Sequence, residues 1–346
     1  MALKVGIVRD ERYLEHKPGI IHPEHPNRLK YVHKMLDTEF PAGLIRVEPK
    51  PITLEDLEAV HTPAYVKTVL HTAGLEFTHL AQDTPSSPRT YMAAWLAAGG
   101  CVTALDALKE GLCDACFALV RPPGHHAQPD RAGGFCIFNN LGVTARYAQR
   151  RYGFKRILIV DWDIHHGNAI QDLFYAEDEV LYISSHFTNI FPYAGEWEET
   201  GTGDGEGYSV NLVLVKGIED LDVAHLYREV VGNAVERYRP DLIMVAAGFD
   251  LHNQDIFSRT RVTERAFGYL TRLLLKLRAE VGNPPLLLAL EGGYRIPALV
   301  NSVKEVFLAL TEAEPPEDLP SEPTALGEEL LAIARPIHSP YRVWVG

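Results

Sequence analysis

Four cysteines in 346 residues, Cys101, Cys113, Cys116 and Cys136, are too few and too unevenly spaced to staple a chain of this size. That excludes a disulfide scaffold and predicts reduced thiols. Long apolar runs are also missing. No stretch approaches the roughly 20 uninterrupted apolar residues of a membrane helix, and the opening "MALKVGIVRDERY" lacks the apolar core of a secretory signal. The expected location is the cytoplasm, with no membrane partner. Positive charge is in deficit: 33 Lys and Arg face 46 Asp and Glu, a formal net charge of −13 without a compensating basic patch. Such a surface repels phosphate backbones, which argues against a nucleic-acid partner and tolerates an amine-bearing substrate. Ser/Gly linkers and internal repeats are absent as well, so one domain is expected over residues 1–346. The Pro/Glu-rich "EAEPPEDLPSEP" introduces a C-terminal extension, 312–346, expected on the surface.

What the chain does have is a succession of short, β-branched-rich apolar runs: 4–8, 116–120, 156–163, 180–185, 208–214, 242–248 and 286–293. Several lack polar alternation, as strands buried on both faces of a parallel sheet do. Helical segments lie between them, opened by Thr53, by Thr62-Pro63 and by Thr263-Glu264, and an Ala-rich helix is expected from about Thr90 to Leu108. Alternating strand and helix predicts an open α/β fold of three layers. Ligands of such folds bind beyond the C-terminal ends of the strands, and every notable polar cluster lies there.

In "VDWDIHHGN" (160–168), an extended backbone projects Asp161, Asp163 and His165 to one side and Trp162 and Ile164 to the other. Carboxylates this close ionise together readily only beside a cation. Asp250, ending "AAGFD", completes a set of two carboxylates and one imidazole, which suits a divalent ion such as zinc. Three protein ligands leave a coordination position open, as a catalytic site requires. Iron or cobalt would also be accepted. "RPPGHHAQPDRAGGFC" (121–136) holds two adjacent histidines, His125 and His126, on a stiff loop where one can accept a proton from water and the other can donate. Asp161 and Asn168 are available to orient the two rings. "LEGGYR" ends in Tyr294, whose phenol can turn back on the glycines to donate to a substrate oxygen. Phe135 and Phe191, each beside glycine or proline, either wall a channel or simply pack. "CDAC" (113–116) reads as structural, and "GTGDGEG" (201–207), lacking the Lys-Ser/Thr of a phosphate loop, as a flexible loop.

Taken in order, "HPEHPNRL", "RPPGHHA…GGFCIFNN", "VDWDIHHGN" and "LEGGY" resemble the zinc-dependent histone deacetylase superfamily, with its acetylpolyamine amidohydrolase and acetoin-utilisation relatives. The resemblance implies the arginase-deacetylase fold, a three-layer α/β/α domain with a mainly parallel sheet of roughly eight strands, and hydrolysis of an acyl group from an amine nitrogen, most simply on lysine side chains. It implies one zinc ion on Asp163, His165 and Asp250, with His126 as general base and acid and His125 as its electrostatic partner, oriented by Asp161. Tyr294 matches the carbonyl-polarising tyrosine. Phe135, with Gly134 beside it, and Phe191 match the aromatic walls of an acyl-lysine channel, Asp83 a rim aspartate, and Arg28 an arginine near an acetate-release pocket. A structural potassium or sodium ion would involve Asp161, Asp163, His165, Ser184 and Ser185.

Asn168 stands where one branch has aspartate, which points to the class II-like branch. "LHNQDIFSR" after Asp250 departs from the usual continuation, and Phe257 falls where polyamine-specific relatives carry glutamate. Three alternatives stay open: an acetylpolyamine or small-amide deacetylase, a two-metal ureohydrolase using His252, and a non-catalytic binder of acylated ligands. Contacts between copies through 195–207 or 312–323 are also left open.

Overall fold

Apolar runs without alternation bury every side chain only when both faces of their sheet are covered. In the computed structural model, which describes residues 3–311 and 322–345, they form such a sheet. Its strands are β1 (Val5–Val8) and β2 (Leu44–Val47), then, after a separate antiparallel hairpin of β3 (Thr78–Ala81) and β4 (Thr84–Ser86), β5 (Ala115–Ala118), β6 (Ile157–Asp161), β7 (Val180–His186), β8 (Ser209–Val213), β9 (Leu242–Ala247) and β10 (Leu286–Leu290). Among the described residues the main sheet has eight strands in the order β2-β1-β5-β10-β9-β6-β7-β8, all parallel. Seven answer to the expected runs. The eighth, β2, was not legible, because at the sheet edge "LIRV" buries only Val47 fully and exposes Arg46.

The helices are α1 (Asn27–Glu39), α2 (Leu54–Glu58), α3 (Pro63–Leu70), α4 (Thr90–Lys109), α5 (Asn140–Tyr152), α6 (Asn168–Phe174), α7 (Asp220–Tyr227), α8 (Asn233–Tyr238), α9 (Glu264–Glu280), α10 (Ile296–Thr311) and α11 (Ala325–His338). Thr53, Thr62 and Thr263 cap α2, α3 and α9 by accepting a backbone N–H, each worth about 1 kcal/mol. One layer runs α1, α10, α9, α7, α11; the other joins α4 to α5, with α2 and α6 against α5 and α3 against α2. By length and composition α4 is apolar enough to cross a membrane, contrary to the sequence expectation, but 72% of that stretch is buried inside the fold.

The C-terminal segment also departs from expectation. Residues 312–321 lie outside the described residues, but α11 and the residues after it are no surface extension. Leu331, Ala334 and Trp344 are buried in the main core, and Glu328 meets His225 of α7 at 2.8 Å. The pattern "LGEELLAIA" is amphipathic, and its apolar side had to be covered. The 201–207 segment is likewise a hydrogen-bonded turn, held by Thr202 N to Tyr175 O (2.8 Å) and Gly207 N to Thr200 O (2.7 Å). Cys113 and Cys116 are free and buried.

The loop after β5 starts from a buried ion cluster. Arg121 donates to Glu24 Oε2 (2.7 Å), to Tyr13 O (2.6 Å) and to His16 O (3.1 Å), and Arg28 donates to Glu24 Oε1 (2.9 Å). Burial alone would raise the Glu24 carboxyl, yet Arg121 and His16 hold it well below the usual range. Removing one partner of such a cluster strands the other charges. Arg121→Ala should therefore cost about 3–5 kcal/mol in urea denaturation; a cost below about 1 kcal/mol would contradict this anchoring role.

Candidate metal and acid-base centre

The four strands β5, β10, β9 and β6 are neighbours at the middle of the sheet. Their C-terminal loops carry the histidine pair, Tyr294, Asp250 and the Asp161–Asn168 stretch, so one sheet position gathers every expected cluster. The chain leaves β6 at Asp161; Trp162 and Ile164 join the main hydrophobic core, while Asp163 and His165 meet each other, and Gly292 and Asp250 meet them.

Asp163, His165 and Asp250 present ligand atoms within 4.8 Å of one another, all buried. His165 Nδ1 lies 3.0 Å from Asp163 Oδ1 and 3.0 Å from Asp250 Oδ2. Carboxylates only accept, so this nitrogen carries a proton that stands where a cation would bind both. Burial opposes the imidazolium, but Asp250 and Asp163 outweigh it and push His165 up to about 10. Burial and Asp163 push Asp250 up to about 7. The other oxygen of each carboxylate is also engaged: Gly292 N donates to Asp163 Oδ2 (2.8 Å) and Ile164 N to Asp250 Oδ1 (2.9 Å). Gly292 must be glycine, since a Cβ there would lie 2.2 Å from Asp250 Oδ2 and 2.4 Å from Asp163 Oδ2. This donor set, pre-oriented and short of one positive charge, fits a divalent ion with oxygen and nitrogen ligands.

The histidine rings stand 3.9 Å apart. Asn168 Oδ1 accepts from His126 Nδ1 at 2.8 Å, which leaves Nε2 with a free lone pair. Burial, then the charges on His125 and His165, hold His126 well below the ordinary value, so it is neutral. His125 is its opposite. Burial works against charge, but Asp163, Asp161 and Glu291 push His125 up to about 10, and its Nδ1 faces Asp161 Oδ2 at 3.2 Å. Adjacent imidazoles thus take different charge states, one neutral and one cationic.

Asp83, His126, Gly134, Phe135, His165, Phe191, Phe257 and Tyr294 line a largely apolar cavity of about 200 Å³. Gly134 and Phe135 both adopt left-handed backbone, φ 55° and 66°, a strained choice for phenylalanine. A Cβ on Gly134 would lie 2.3 Å from the His126 ring, so this glycine keeps the cavity open. The turn is braced by Gly134 N to Asp83 Oδ2 (3.0 Å) and Phe135 N to Thr84 Oγ1 (3.2 Å) at the β3–β4 tip. Burial keeps the Tyr294 phenol well above its ordinary pKa and hence a donor. Arg28 lies 4.9 Å from the Tyr294 ring centroid and donates to Gly293 O and Glu291 O. Phe257 sits 5.3 Å from Tyr294. Ser184 and Ser185 are beside Asp161 on β7, with hydroxyls bonded to His186 and Tyr227.

His252 contributes nothing to this centre: it bonds Glu264 (3.0 Å) and accepts from Gln254 N. Sequence reasoning missed two residues. Glu291 accepts from Gly124 N (2.7 Å) and His125 N (3.2 Å), fixing the histidine loop. Asp255 accepts from Tyr294 N (2.6 Å) and Arg295 N (2.9 Å), so the unusual stretch after Asp250 holds the tyrosine. The signal for Glu291 was present, a carboxylate directly ahead of "GGY" at a buried strand end.

Another buried histidine braces the loop from behind. Asn139 N donates to His61 Nε2 (2.8 Å), so Nδ1 bears the proton and donates to Gln128 O (3.1 Å). Burial lowers His61 to about 4. A depressed histidine contributes its full stability above about pH 6.5 and loses it as pH falls toward 4. Between pH 7 and 5, His61→Asn should lose about 2 kcal/mol less than the native chain in chemical denaturation; parallel losses would contradict a neutral His61.

A family model described as the histone deacetylase domain matches residues 22–310. The chain is 36% identical over 294 residues to a probable deacetylase of Archaeoglobus fulgidus, covering 84% of this chain and 81% of that one. It is 36% identical over 276 residues to the histone deacetylase-like amidohydrolase of Pseudomonas aeruginosa, covering 79% and 72%. The crystal structure of the HDA15 HD domain superposes with a TM-score of 0.90 at 33% identity, covering 99% of this chain and 96% of that one.

Proposed function

This chain belongs to the histone deacetylase family of amide-hydrolysing enzymes, and we propose that it removes acetyl or other acyl groups from lysine side chains, using one zinc ion at Asp163, His165 and Asp250. The observation that carries this reading is an apolar cavity lined by His165 of that ligand set, by a neutral His126 and by a protonated Tyr294, with Asp163 and Asp250 buried against His165. When bound, a divalent ion there would polarise the acyl carbonyl and acidify a water.

The chain's own residues supply the rest. Phe135 and Phe191 flank an aliphatic arm, and Asp83 stands at the rim. Tyr294 donates from its hydroxyl to the carbonyl oxygen as negative charge develops there. Nε2 of His126 takes a proton from the attacking water, then delivers it to the nitrogen that leaves. His125 remains cationic through both steps, held by Asp161, and its charge favours the anionic transition state. The same reading includes a monovalent ion near Asp161, Asp163, His165, Ser184 and Ser185. Phe257 in the wall, with Asp83 as the cavity's only non-ligand carboxylate among the described residues, favours acyl-lysine over an acylated polyamine.

Tyr294→Phe should lower kcat on an acetyl-lysine peptide roughly 10²- to 10³-fold while bound zinc, measured by elemental analysis, stays at the wild-type level. Wild-type turnover in that variant would remove the tyrosine from the mechanism.

A further inference from the structure

Single exposed apolar side chains are ordinary on protein surfaces. Here their placement is not. The four most exposed large apolar residues among those described are Ile21 (97%), Ile20 (94%), Tyr193 (75%) and Ile256 (60%). Ile20 and Ile21 run straight into His22, whose ring packs edge-on against Phe135 at 4.7 Å and whose Nε2 meets Asp83 O at 3.2 Å. Tyr193 comes two residues after Phe191, and Ile256 immediately precedes Phe257. Phe135, Phe191 and Phe257 are three walls of the catalytic cavity. Each wall therefore has an exposed apolar residue close to it along the chain, Ile21 through the His22 ring that packs on Phe135.

Tyr193 is held there at a cost, with φ 61° and its N–H donated to Ile190 O at 2.8 Å. Left-handed backbone is rarely adopted by a ring-bearing residue, and such strain collects at binding sites. None of the four side chains carries charge, in a chain of net −13. Asp83, the carboxylate at the mouth, already accepts from Gly134 N and from Thr84 Oγ1. A polycationic amine would be met mainly by isoleucine and tyrosine at this rim. An extended polypeptide crossing the mouth advances about 3.3 Å per residue, so the side chains one or two positions either side of an inserted lysine would land on the collar.

We infer that Ile20, Ile21, Tyr193 and Ile256 form an apolar collar that selects polypeptides carrying large apolar residues next to the acylated lysine. This rests on the lysine-deacylase reading. The collar is a specificity element and touches no reacting atom, so it acts on substrate capture.

The test uses the zinc-loaded full chain and three substrates: an acetyl-lysine reporter without flanking residues, an acetyl-lysine peptide flanked by glycines, and the same peptide flanked by leucines. The leucine peptide should exceed the glycine peptide in kcat/KM by roughly tenfold or more, through KM. The double variant Ile20→Ser/Ile21→Ser, and separately Ile256→Ser, should lose most of that preference while turning over the reporter at the native rate. Equal rates on the two peptides, with the reporter turned over, overturn the collar and leave the deacylase reading standing. A collar used instead between two copies of this chain would show in sedimentation velocity as a dimer dissolved by the double variant, with no flank preference; that result also overturns the inference. No turnover of any of the three overturns both readings together.

Discussion

Two carboxylates, Asp163 and Asp250, are buried against the His165 ring that lines the cavity, and their mutual repulsion is the constraint on which the rest depends. Neither is exposed, and both cannot ionise there without a cation between them. His165 supplies a proton as that cation, on the nitrogen that faces both. The geometry is thus satisfied by one positive charge and indifferent, in outline, to whether it is a proton or a metal ion. A divalent ion satisfies it better, because it replaces the proton and leaves the imidazole a ligand.

Everything around this pair keeps it from relaxing. Gly292 brings its backbone N–H against Asp163 where no side chain would fit. Glu291 grips the histidine loop, Asp255 grips the tyrosine backbone, and the Arg28–Glu24–Arg121 cluster fastens both ends to the body of the fold. The same buried charges divide the labour of the two histidines. His125, among carboxylates, stays cationic, and that charge adds to burial in keeping His126 neutral. An arrangement that reads as two identical residues in the chain becomes two chemical species because the field around them is not symmetric.

Much of this was legible from the residues. Non-alternating apolar runs announced a covered parallel sheet, and polar clusters at the ends of four of them announced the site, since packing has no use for such clusters there. The structure lines one cavity with His126, His165, Tyr294, Phe135, Phe191, Phe257 and Asp83, and packs His125 against His126 and Asp163 and Asp250 against His165. What escaped had weak or non-local signals. Strand β2 is half exposed and includes an arginine, so it lacks the pattern of its neighbours. Leu331 and Trp344 come after a Pro/Glu-rich stretch that suggested a surface, and only the tertiary fold reveals the apolar face they cover. Asp255 reads as one acid in an irregular loop; its role depends on Tyr294 arriving from 39 residues away.

The most direct test of the central claim is calorimetric titration of zinc into the metal-free chain at pH 7.5 in buffers of different ionisation enthalpy. The account predicts one ion per chain, a buffer-dependent heat from the proton leaving His165, which stands at about 10 without metal, and loss of this event in Asp250→Asn. Two ions per chain, or one bound equally well by Asp250→Asn, would contradict it.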